Sequence, residues 1–195
     1  MKQTGVVVLA AGSGERYGHD KRLAAVPGKQ GHEPMLLATL RAVRASGLPF
    51  IVVLRSGDLQ WEQELDAIGV DWIACPEAHK GMGHSLAAGV HATQHWDGWL
   101  IALADMPFIQ PGTYRAVADA LNQHRIVRPV LHNPVTNKRQ PGHPVGFDKT
   151  CAFELLQCSG DQGARELLKH HASDVAELLC HDEGIVQDID RPEDC

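Results

Sequence analysis

The 195-residue chain lacks the features that mark several classes of protein. No apolar run approaches the roughly 18 residues of a membrane span. The N-terminus has no basic segment that leads into a signal-type apolar stretch. With a net charge of -6, the chain has no general attraction for nucleic acid or anionic membranes. We therefore expect a cytoplasmic protein, folded as a single domain over residues 1–195, that binds neither nucleic acid nor membrane.

Cysteine is present, but without a pattern that binds metal or closes a disulfide framework. There are 5 cysteines, an odd number, and none of them forms a C-x-x-C pair. The 12 histidines are scattered and share no zinc-ligand spacing with the cysteines. We therefore expect reduced thiols and no zinc cluster.

The strongest feature that is present is an apolar run that leads straight into a glycine-rich loop. Residues 6–9 do not alternate with polar residues, which predicts a strand buried on both faces. The loop glycines are Gly12, Gly14 and Gly18. Glycines allow a tight turn that presents N–H groups to an anion, and Arg16 and Lys21 add positive charge. The sequence therefore predicts a loop that binds a nucleotide polyphosphate.

The spacing of this loop excludes two other kinds of nucleotide site. Its glycines follow G-x-G-x-x-x-G, whereas the dinucleotide-binding fingerprint is G-x-G-x-x-G. Lys21 and Arg22 do not complete the G-x-x-x-x-G-K-[ST] sequence of a P-loop. On loop composition alone, a tight strand-to-helix turn without a ligand stays open.

Strand-like and helix-like segments alternate along the first half of the chain. The strand-like runs are residues 6–9, 50–54, 70–74 and 99–103, and the helix-like segments are residues 34–45, 59–68 and 83–94. This alternation predicts an α/β fold with a largely parallel sheet. Such sheets bind ligands at the carboxyl ends of their strands. We therefore expect the loop at Gly12 and the segments after Ala74 and Leu103 at one edge.

The second half of the chain has a different pattern. Residues 127–131 and 144–147 predict strands, and the polar connection between them forms either a hairpin or an inserted lobe. Residues 152–158 and 164–171 predict helices, and residues 184–189 predict a short strand.

Two carboxylate positions follow apolar runs. Asp105 comes directly after a predicted buried strand, and Asp188 and Asp190 would share one face if their strand persists. Carboxylates in such places suit Mg²⁺, which prefers oxygen ligands. Asp105 also fits a helix N-cap or an Asx turn, and Asp190 also fits a helix start.

Glycine-containing turns elsewhere leave their roles open. Ser85 follows Gly81 and Gly83, where it either contacts a base or caps a helix. The turns at residues 141–147 and 159–165 either shape an acceptor pocket or are ordinary turns.

Taken together, these segments resemble a known family. Leu9-Ala-Ala-Gly-Ser-Gly-Glu-Arg-Tyr-Gly-x-x-Lys21 resembles the signature loop of the nucleotidyltransferases that activate sugars, isoprenoid precursors and pterins. The motifs that follow in that family's order are Gly81-Met-Gly-His-Ser-Leu-Ala-Ala-Gly-Val90, Ala104-Asp-Met-Pro107, Gly142-His-Pro-Val145, Gly160-Asp-Gln-Gly-Ala-Arg165 and Asp188-Ile-Asp-Arg-Pro-Glu-Asp194. The chain is therefore similar, nearly end to end, to the molybdenum cofactor cytidylyltransferase branch of the MobA-like nucleotidyltransferases.

The resemblance implies a fold and an activity. The fold is a three-layer, Rossmann-like α/β architecture of the nucleotide-diphospho-sugar transferase type. It has a mostly parallel sheet, helices on both faces and a small β insertion. Nucleotide binding falls in about residues 1–107 and acceptor binding in about residues 108–195. The implied enzyme uses Mg²⁺ and moves CMP from CTP to the phosphate of a molybdopterin-type cofactor, with release of pyrophosphate.

Partners and alternatives follow from the same resemblance. A molybdenum-containing dehydrogenase that receives the product is a further implied partner. One alternative is a cytidylyltransferase for a sugar- or polyol-phosphate. Another is a catalytically idle nucleotide- or cofactor-binding chaperone for a molybdenum enzyme. The polar segment 27–34 departs from the family, because it is longer than the usual link between the loop and the first helix.

The resemblance also implies roles for individual residues. The catalytic residues are Arg16, Lys21 and Asp105, and the metal ligands are Asp105 and Asp190. The nucleotide-binding residues are Leu9, Ala10, Ala11, Gly12, Ser13, Gly14, Arg16, Lys21, Gly81 and Ser85. The acceptor-binding residues are His143, Asp161, Gly163 and Arg165. Guanylyl-transferring relatives usually carry glycine at the position of Ala11, whose β-carbon would narrow the base pocket against a purine.

Overall fold

The computed structural model describes residues 2–12, 20–28, 31–133, 137–161 and 163–189. In chain order the strands are β1 (Thr4–Leu9), β2 (Ala25–Gly28), β3 (Gly31–Pro34), β4 (Phe50–Arg55), β5 (Trp72–Cys75), β6 (Gly98–Leu103), β7 (Ile126–Asn133), β8 (Lys138–Pro141), β9 (Val145–Asp148) and β10 (Val175–Cys180). The helices are α1 (Met35–Ala45), α2 (Leu59–Ala67), α3 (Met82–Ala92), α4 (Pro111–Ala120), α5 (Ala152–Leu156) and α6 (Arg165–His170). Short 3₁₀ turns include Lys21–Leu23, Ala78–Lys80 and Glu183–Val186.

Eight of the described strands form one sheet. Its order is β10-β7-β9-β6-β1-β4-β5, and β8 pairs with β7. Strands β6, β1, β4 and β5 are parallel neighbours. Strand β9 is antiparallel to both β6 and β7, and β10 is parallel to β7. Among the described strands of this sheet, only β8 and β9 therefore run against the rest, which confirms the predicted mostly parallel sheet.

Alternate side chains of β1 are buried on opposite faces of the sheet. Val6 and Val8 pack into the cluster that also holds apolar side chains of α1, α2 and α4. Val7 and Leu9 pack into a second cluster with side chains of α3, α5 and α6. This is the behaviour of a strand covered on both sides. The predicted three-layer arrangement is confirmed.

The small β elements differ in place from the sequence prediction. Strands β7 and β8 form the hairpin that was one of the two alternatives, and this hairpin belongs to the main sheet. A separate two-stranded sheet, β2 with β3, occupies the polar segment before α1. A link that is long and polar in sequence is thus a second, smaller sheet.

Near the C-terminal end of the described chain, one prediction is wrong. The strand predicted at 184–189 is instead the 3₁₀ turn Glu183–Val186 followed by irregular chain. A β-carbon on Gly184 would lie 2.2 Å from the carbonyl oxygen of Phe108, so this segment packs against the loop after β6 instead of extending a sheet. One edge strand of the sheet is β10, which the sequence did not predict. None of the described helices has the length and apolar character that a membrane crossing requires.

Candidate active site

A cleft of about 790 Å³ opens at the carboxyl ends of β1, β4, β5 and β6. Because these strands are parallel, the segments that follow them emerge at one edge of the sheet. The residues that line the cleft are Leu9, Ala10, Ala11, Gly12, Lys21, Arg22, Met35, Arg55, Ser56, Cys75, Pro76, Ala78, His79, Gly81, Met82, Ser85, Leu103, Ala104, Asp105 and Asp161. The predicted residues Ser13, Gly14 and Arg16 lie outside the described residues. The other predicted nucleotide-binding residues lie together in this cleft.

Lys21 and Asp105 meet in the cleft from distant parts of the chain. The Nζ atom of Lys21 donates to Oδ2 of Asp105 at 2.8 Å. The second carboxylate oxygen of Asp105, Oδ1, is buried and has no hydrogen-bond partner among the described residues. A buried carboxylate oxygen without a partner is costly unless a donor or a cation binds it. This chemistry fits a divalent cation, for which oxygen ligands are preferred.

The other predicted metal ligand, Asp190, lies outside the described residues. Its chain neighbour Ile189 is buried, and the Ile189 N–H donates to the backbone carbonyl of Asp105 at 3.0 Å. This bond fixes the chain just before position 190 against the Asp105 turn. Within the described ranges, no group of three histidine, cysteine, aspartate or glutamate side chains could hold a metal ion. Asp105 is therefore the candidate ligand that the described residues supply.

A buried ionic network, which we call the Arg22 cluster, lies behind Lys21. Its members are Asp20, Arg22, Asp58 and Trp61. The Arg22 guanidinium donates through Nη1 to Asp58 and, at 2.9 Å, to the carbonyl of Ala10. Its Nε and Nη2 atoms donate to the two oxygens of Asp20 at 2.8 and 2.7 Å. The cluster thus joins the end of β1, the turn that carries Lys21 and the start of α2.

Trp61 completes the cluster. Its indole Nε1 donates to Asp20 at 3.0 Å, and its ring centroid lies 5.5 Å from the Arg22 guanidinium carbon. Burial by itself would raise the pKa of Asp20, but hydrogen bonds from Arg22 and Trp61 and the charge of Arg22 lower it to about 2. Asp20 is therefore ionised at neutral pH and pairs there with Arg22, next to the predicted catalytic Lys21.

The sequence prediction missed the Arg22 cluster. Asp58 and Trp61 are separated from their partners by 36 and 41 positions. A local sequence motif does not indicate a contact between residues so far apart in the chain. The adjacency of Asp20, Lys21 and Arg22 is visible in the sequence, but it does not show that Arg22 bonds to Asp58 while Lys21 bonds to Asp105.

Two glycines at the start of α3 permit a close backbone contact. A β-carbon on Gly81 would lie 2.2 Å from the backbone of Gly160, and one on Gly83 would lie 2.6 Å from the backbone of Ser159. The Gly83 N–H donates to the Gly160 carbonyl at 2.8 Å. Gly81 also has a φ of 121°, which favours glycine. The wall of the cleft at α3 is therefore joined directly to the turn that precedes α6.

The predicted acceptor-binding residues lie in different places. Asp161 lines the cleft. Gly163 is buried, and a β-carbon on it would lie 3.0 Å from Cε of Met82, another lining residue. Arg165 is exposed at the start of α6 and does not line the cleft. His143 lies just before β9 and also does not line it. The structure thus brings only part of this set to the cleft itself.

His143 is nevertheless placed close to the Asp105 turn. Its backbone N–H donates to the Ile185 carbonyl at 3.0 Å, and its Nδ1 atom is buried without a partner among the described residues. Burial lowers the pKa of His143, and the charge of Arg128 adds to this, although the charges of Asp105 and Asp188 oppose it. The imidazole is therefore neutral at pH 7 and keeps an unused hydrogen-bonding nitrogen.

The sequence matches the model of the MobA-like NTP transferase domain over residues 6–175. The chain belongs to this family. It is 29% identical to the purine catabolism protein PucB of Bacillus subtilis over 96% of this chain and 92% of that protein. The crystal structure of Rv0371c from Mycobacterium tuberculosis shares the fold with a TM-score of 0.79, at 26% identity over 100% of this chain and 96% of that one. A second structure of Rv0371c, in complex with manganese, has a TM-score of 0.71 at 24% identity over 92% and 88%.

Membership of the MobA-like family makes the protein a nucleotidyltransferase. The predicted family and enzyme class are thereby confirmed. The domain match begins within β1 and ends at the first residue of β10, so it includes the strands whose carboxyl ends form the cleft.

Proposed function

We propose that this MobA-like protein is a divalent-metal-dependent cytidylyltransferase. It transfers CMP from CTP to the phosphate of a molybdopterin-type cofactor and releases pyrophosphate. The observation that carries the proposal is the contact of Lys21 with Asp105 at 2.8 Å, beside a buried carboxylate oxygen that no described residue engages. A cation and a metal-binding carboxylate side by side suit a triphosphate.

The wall of the cleft supports a pyrimidine nucleotide. Ala10 and Ala11 are buried, and they line the same cleft as Gly81 and Ser85. A β-carbon at position 11 takes space that a larger purine ring would need. We therefore assign the base to the region between these four residues, and CTP over GTP as the nucleotide.

Asp105 and Asp190 would hold the metal ion. The ion, when bound, supplies a Lewis acid that neutralises phosphate oxygens. Support comes from the unpartnered Oδ1 of Asp105 and from the bond between Ile189 and the Asp105 carbonyl, since Asp190 follows Ile189 directly. A structure of this fold has been obtained with manganese, which is compatible with a divalent ion; we propose Mg²⁺ for this chain.

Nucleotidyl transfer requires positioning and charge neutralisation more than a protein nucleophile. An oxygen of the acceptor phosphate attacks the α-phosphorus of CTP in line, and the bond from that phosphorus to the pyrophosphate oxygen breaks. Lys21 would bind the triphosphate and stabilise the leaving pyrophosphate, with the backbone N–H groups of the Gly12 loop. Arg16 is proposed to assist Lys21. The Arg22 cluster would hold the Lys21 turn at the required place.

The acceptor is proposed to lie on the side of Asp161, Gly163 and Arg165, next to His143. Asp161 lines the cleft, and its turn is bonded to the start of α3, so an acceptor there would border the nucleotide. That a molybdenum-containing dehydrogenase receives the product stays a prediction.

Pyrophosphate release tests the proposal and separates it from the alternatives. The purified chain is incubated with CTP or GTP, with Mg²⁺ or Mn²⁺, and with molybdopterin cofactor, a panel of sugar- and polyol-phosphates, or no acceptor. We expect rapid release only with CTP and the molybdopterin cofactor. Release with a sugar- or polyol-phosphate instead would assign a different acceptor. No release in any combination, despite nucleotide binding, would indicate an idle binding protein.

A carboxylate variant tests the metal site. Asp105→Asn should lower turnover by about two orders of magnitude or more, because metal and oxyanion stabilisation contribute several kcal/mol to such reactions. The matched control is Asp119→Asn, an exposed aspartate on α4 away from the cleft, which should keep normal turnover. Near-normal turnover of Asp105→Asn at saturating CTP and metal would show that the metal assignment is wrong.

A further inference from the structure

The loop between β6 and α4, which carries Asp105, is held by a later segment of the chain. Residues 182–189, which we call the strap, bond to this loop at both of their ends. The Asp182 carboxylate accepts from the Gln110 N–H at 2.8 Å. The Ile189 N–H donates to the Asp105 carbonyl at 3.0 Å. The strap thus spans the loop from its Gln110 end to Asp105.

Between these two bonds the strap packs closely against its surroundings. A β-carbon on Gly184 would lie 2.2 Å from the carbonyl oxygen of Phe108, so the strap and the loop are in contact there. Ile185 and Ile189 are buried, and the Ile185 carbonyl accepts from the His143 N–H at 3.0 Å. The strap is therefore a packed part of the fold along its length.

Asp182 anchors the strap on the start of α4. Its side chain is 6% exposed, so the carboxylate depends on hydrogen bonds from the protein. In addition to the Gln110 N–H, the Thr113 hydroxyl donates to Oδ2 at 2.6 Å and the Gly184 N–H donates to Oδ1 at 3.0 Å. Gln110 and Thr113 lie at the amino end of α4, where the helix dipole favours a negative charge. Three donors and a helix end thus stabilise this buried carboxylate.

The strap continues a support that the sheet and α1 begin. The Ala104 N–H donates to the Leu9 carbonyl at 3.2 Å, and the Thr39 hydroxyl donates to the Ala104 carbonyl at 2.9 Å. The next residue is Asp105, whose carbonyl is held by Ile189 of the strap. The backbone of the candidate metal ligand is therefore fixed on one side by the core and on the other by the strap.

We propose that Asp182 is a positioning residue for Asp105. It anchors the strap, and the strap holds the backbone of Asp105 so that the side chain contacts Lys21 at 2.8 Å and leaves Oδ1 for a cation. The inference rests on the proposed function, because that function assigns the metal ion to Asp105. Removing a group that orients a metal ligand commonly changes metal affinity or activity about 10–100-fold. Loss of the Asp182 anchor should therefore weaken metal binding.

The first test asks whether the strap acts as one unit. Hydrogen–deuterium exchange of the Gln110 and Ile189 amides is compared between the wild type and Asp182→Ala. The Gln110 amide loses its acceptor directly, so it exchanges faster whether or not the proposal holds. The Ile189 amide, at the other end of the strap, should also exchange about tenfold faster. Unchanged exchange at Ile189 would overturn the proposal.

A milder pair of variants covers the case in which Asp182→Ala does not fold. Thr113→Val removes one donor to Asp182, whereas Thr113→Ser keeps the hydroxyl and should restore wild-type behaviour. The control is Thr93→Val, because buried Thr93 accepts from Trp99 at the amino end of β6, opposite to the cleft. This variant should lower Tm but leave the exchange of Ile189 and the metal affinity at wild-type values. An equal loss of metal affinity in Thr93→Val would show a general effect of instability and overturn the proposal.

The second test measures metal affinity directly. Mn²⁺ is titrated into the full chain saturated with CTP, without an acceptor, and protein-bound Mn²⁺ is detected by the enhanced relaxation of water protons. We expect Asp182→Ala to weaken Mn²⁺ binding about tenfold. In the pyrophosphate-release assay, the same variant should need about tenfold more metal for half-maximal turnover, with an unchanged KM for CTP at saturating metal. Mn²⁺ affinity at the wild-type value, despite faster exchange of Ile189, would make Asp182 a structural residue and overturn the proposal.

These measurements also separate the two proposals. If the wild type binds Mn²⁺ but releases no pyrophosphate with any acceptor, while Asp182→Ala still weakens Mn²⁺ binding, the proposed function fails and the positioning role stands. If the wild type releases pyrophosphate as proposed and Asp182→Ala alters neither the exchange of Ile189 nor the Mn²⁺ affinity, the positioning role fails and the proposed function stands.

Discussion

Replacing Arg22 with methionine should destabilise the fold strongly, because it breaks a buried ion pair from one side only. Arg22 and Asp58 are 4% and 8% exposed, so water cannot take over the lost contacts. The Arg22→Met change leaves the carbonyl of Ala10 without its guanidinium donor and leaves Asp58 with the partly exposed Arg55, whose Nε lies 3.4 Å from Oδ2. Asp20 loses two hydrogen bonds as well, although Trp61 still donates to it.

The size of the effect follows from that burial. Removing one partner of a buried ion pair costs about 3–5 kcal/mol when the other charge stays buried without compensation, and the partly exposed Arg55 compensates Asp58 only in part. For a chain of this length, each kcal/mol corresponds to about 2–4 °C in Tm. We therefore expect Arg22→Met to lower Tm by about 6–20 °C.

Urea unfolding, monitored by circular dichroism, measures the loss of unfolding free energy in Arg22→Met. Arg41→Met is the matched control. Arg41 pairs with Glu33 at 2.5 Å, but the two side chains are 40% and 25% exposed. An exposed pair of this kind contributes about 0–1 kcal/mol. Arg22→Met should therefore cost several times more than Arg41→Met.

A double variant separates the cost of leaving Asp58 without Arg22 from the cost of introducing the methionine side chain. Combining Arg22→Met with Asp58→Asn removes the stranded charge, so the double variant should be less unstable than the sum of the two single variants. Equal costs for Arg22→Met and Arg41→Met, or strict additivity with Asp58→Asn, would refute the reasoning. The Arg22 cluster would then stabilise the turn that carries Lys21 no more than an exposed ion pair does.

Three further predictions concern single positions. The pKa of Asp20 is lower in the fold than the ordinary 3.8, so its ionised form contributes about 2 kcal/mol above pH 4, and this is lost as the pH falls towards 2. In urea unfolding, Asp20→Asn should therefore be less stable than the wild type at pH 7 but not near pH 2. Gly83→Ala, whose β-carbon would meet the backbone of Ser159, should cost about 1–3 kcal/mol and raise the KM for CTP. The control Gly112→Ala should not destabilise, because its β-carbon would lie 4.0 Å from Nη2 of Arg115, an ordinary contact. Tyr114→Phe removes a buried hydroxyl without a described partner, so thermal unfolding should show no loss of stability, and a loss above about 1 kcal/mol would reveal a missed partner.

The arrangement of strands and helices could be predicted wherever a local signal was strong. The apolar runs that became β1, β4 and β6 are continuous because both faces of the sheet are covered, so their sequence shows no alternation. The strand predicted at 184–189 failed for a tertiary reason. Gly184 sits against the backbone of Phe108, and the Ile189 N–H bonds to the Asp105 turn, not to a strand. A short apolar run does not reveal which neighbour its backbone will bond.

The sequence was enough to predict which edge of the sheet carries the site, but not which residues hold the site residues in place. Asp105 and Lys21 could be placed in one cleft, since each follows a central parallel strand and such strands end at one edge. Their contact at 2.8 Å depends on the direction of the Lys21 side chain, which Arg22 sets by turning inward to Asp58. Arg22 does not differ in sequence from a solvated surface arginine. What distinguishes it is burial and its carboxylate partners, and both properties exist only after the chain has folded.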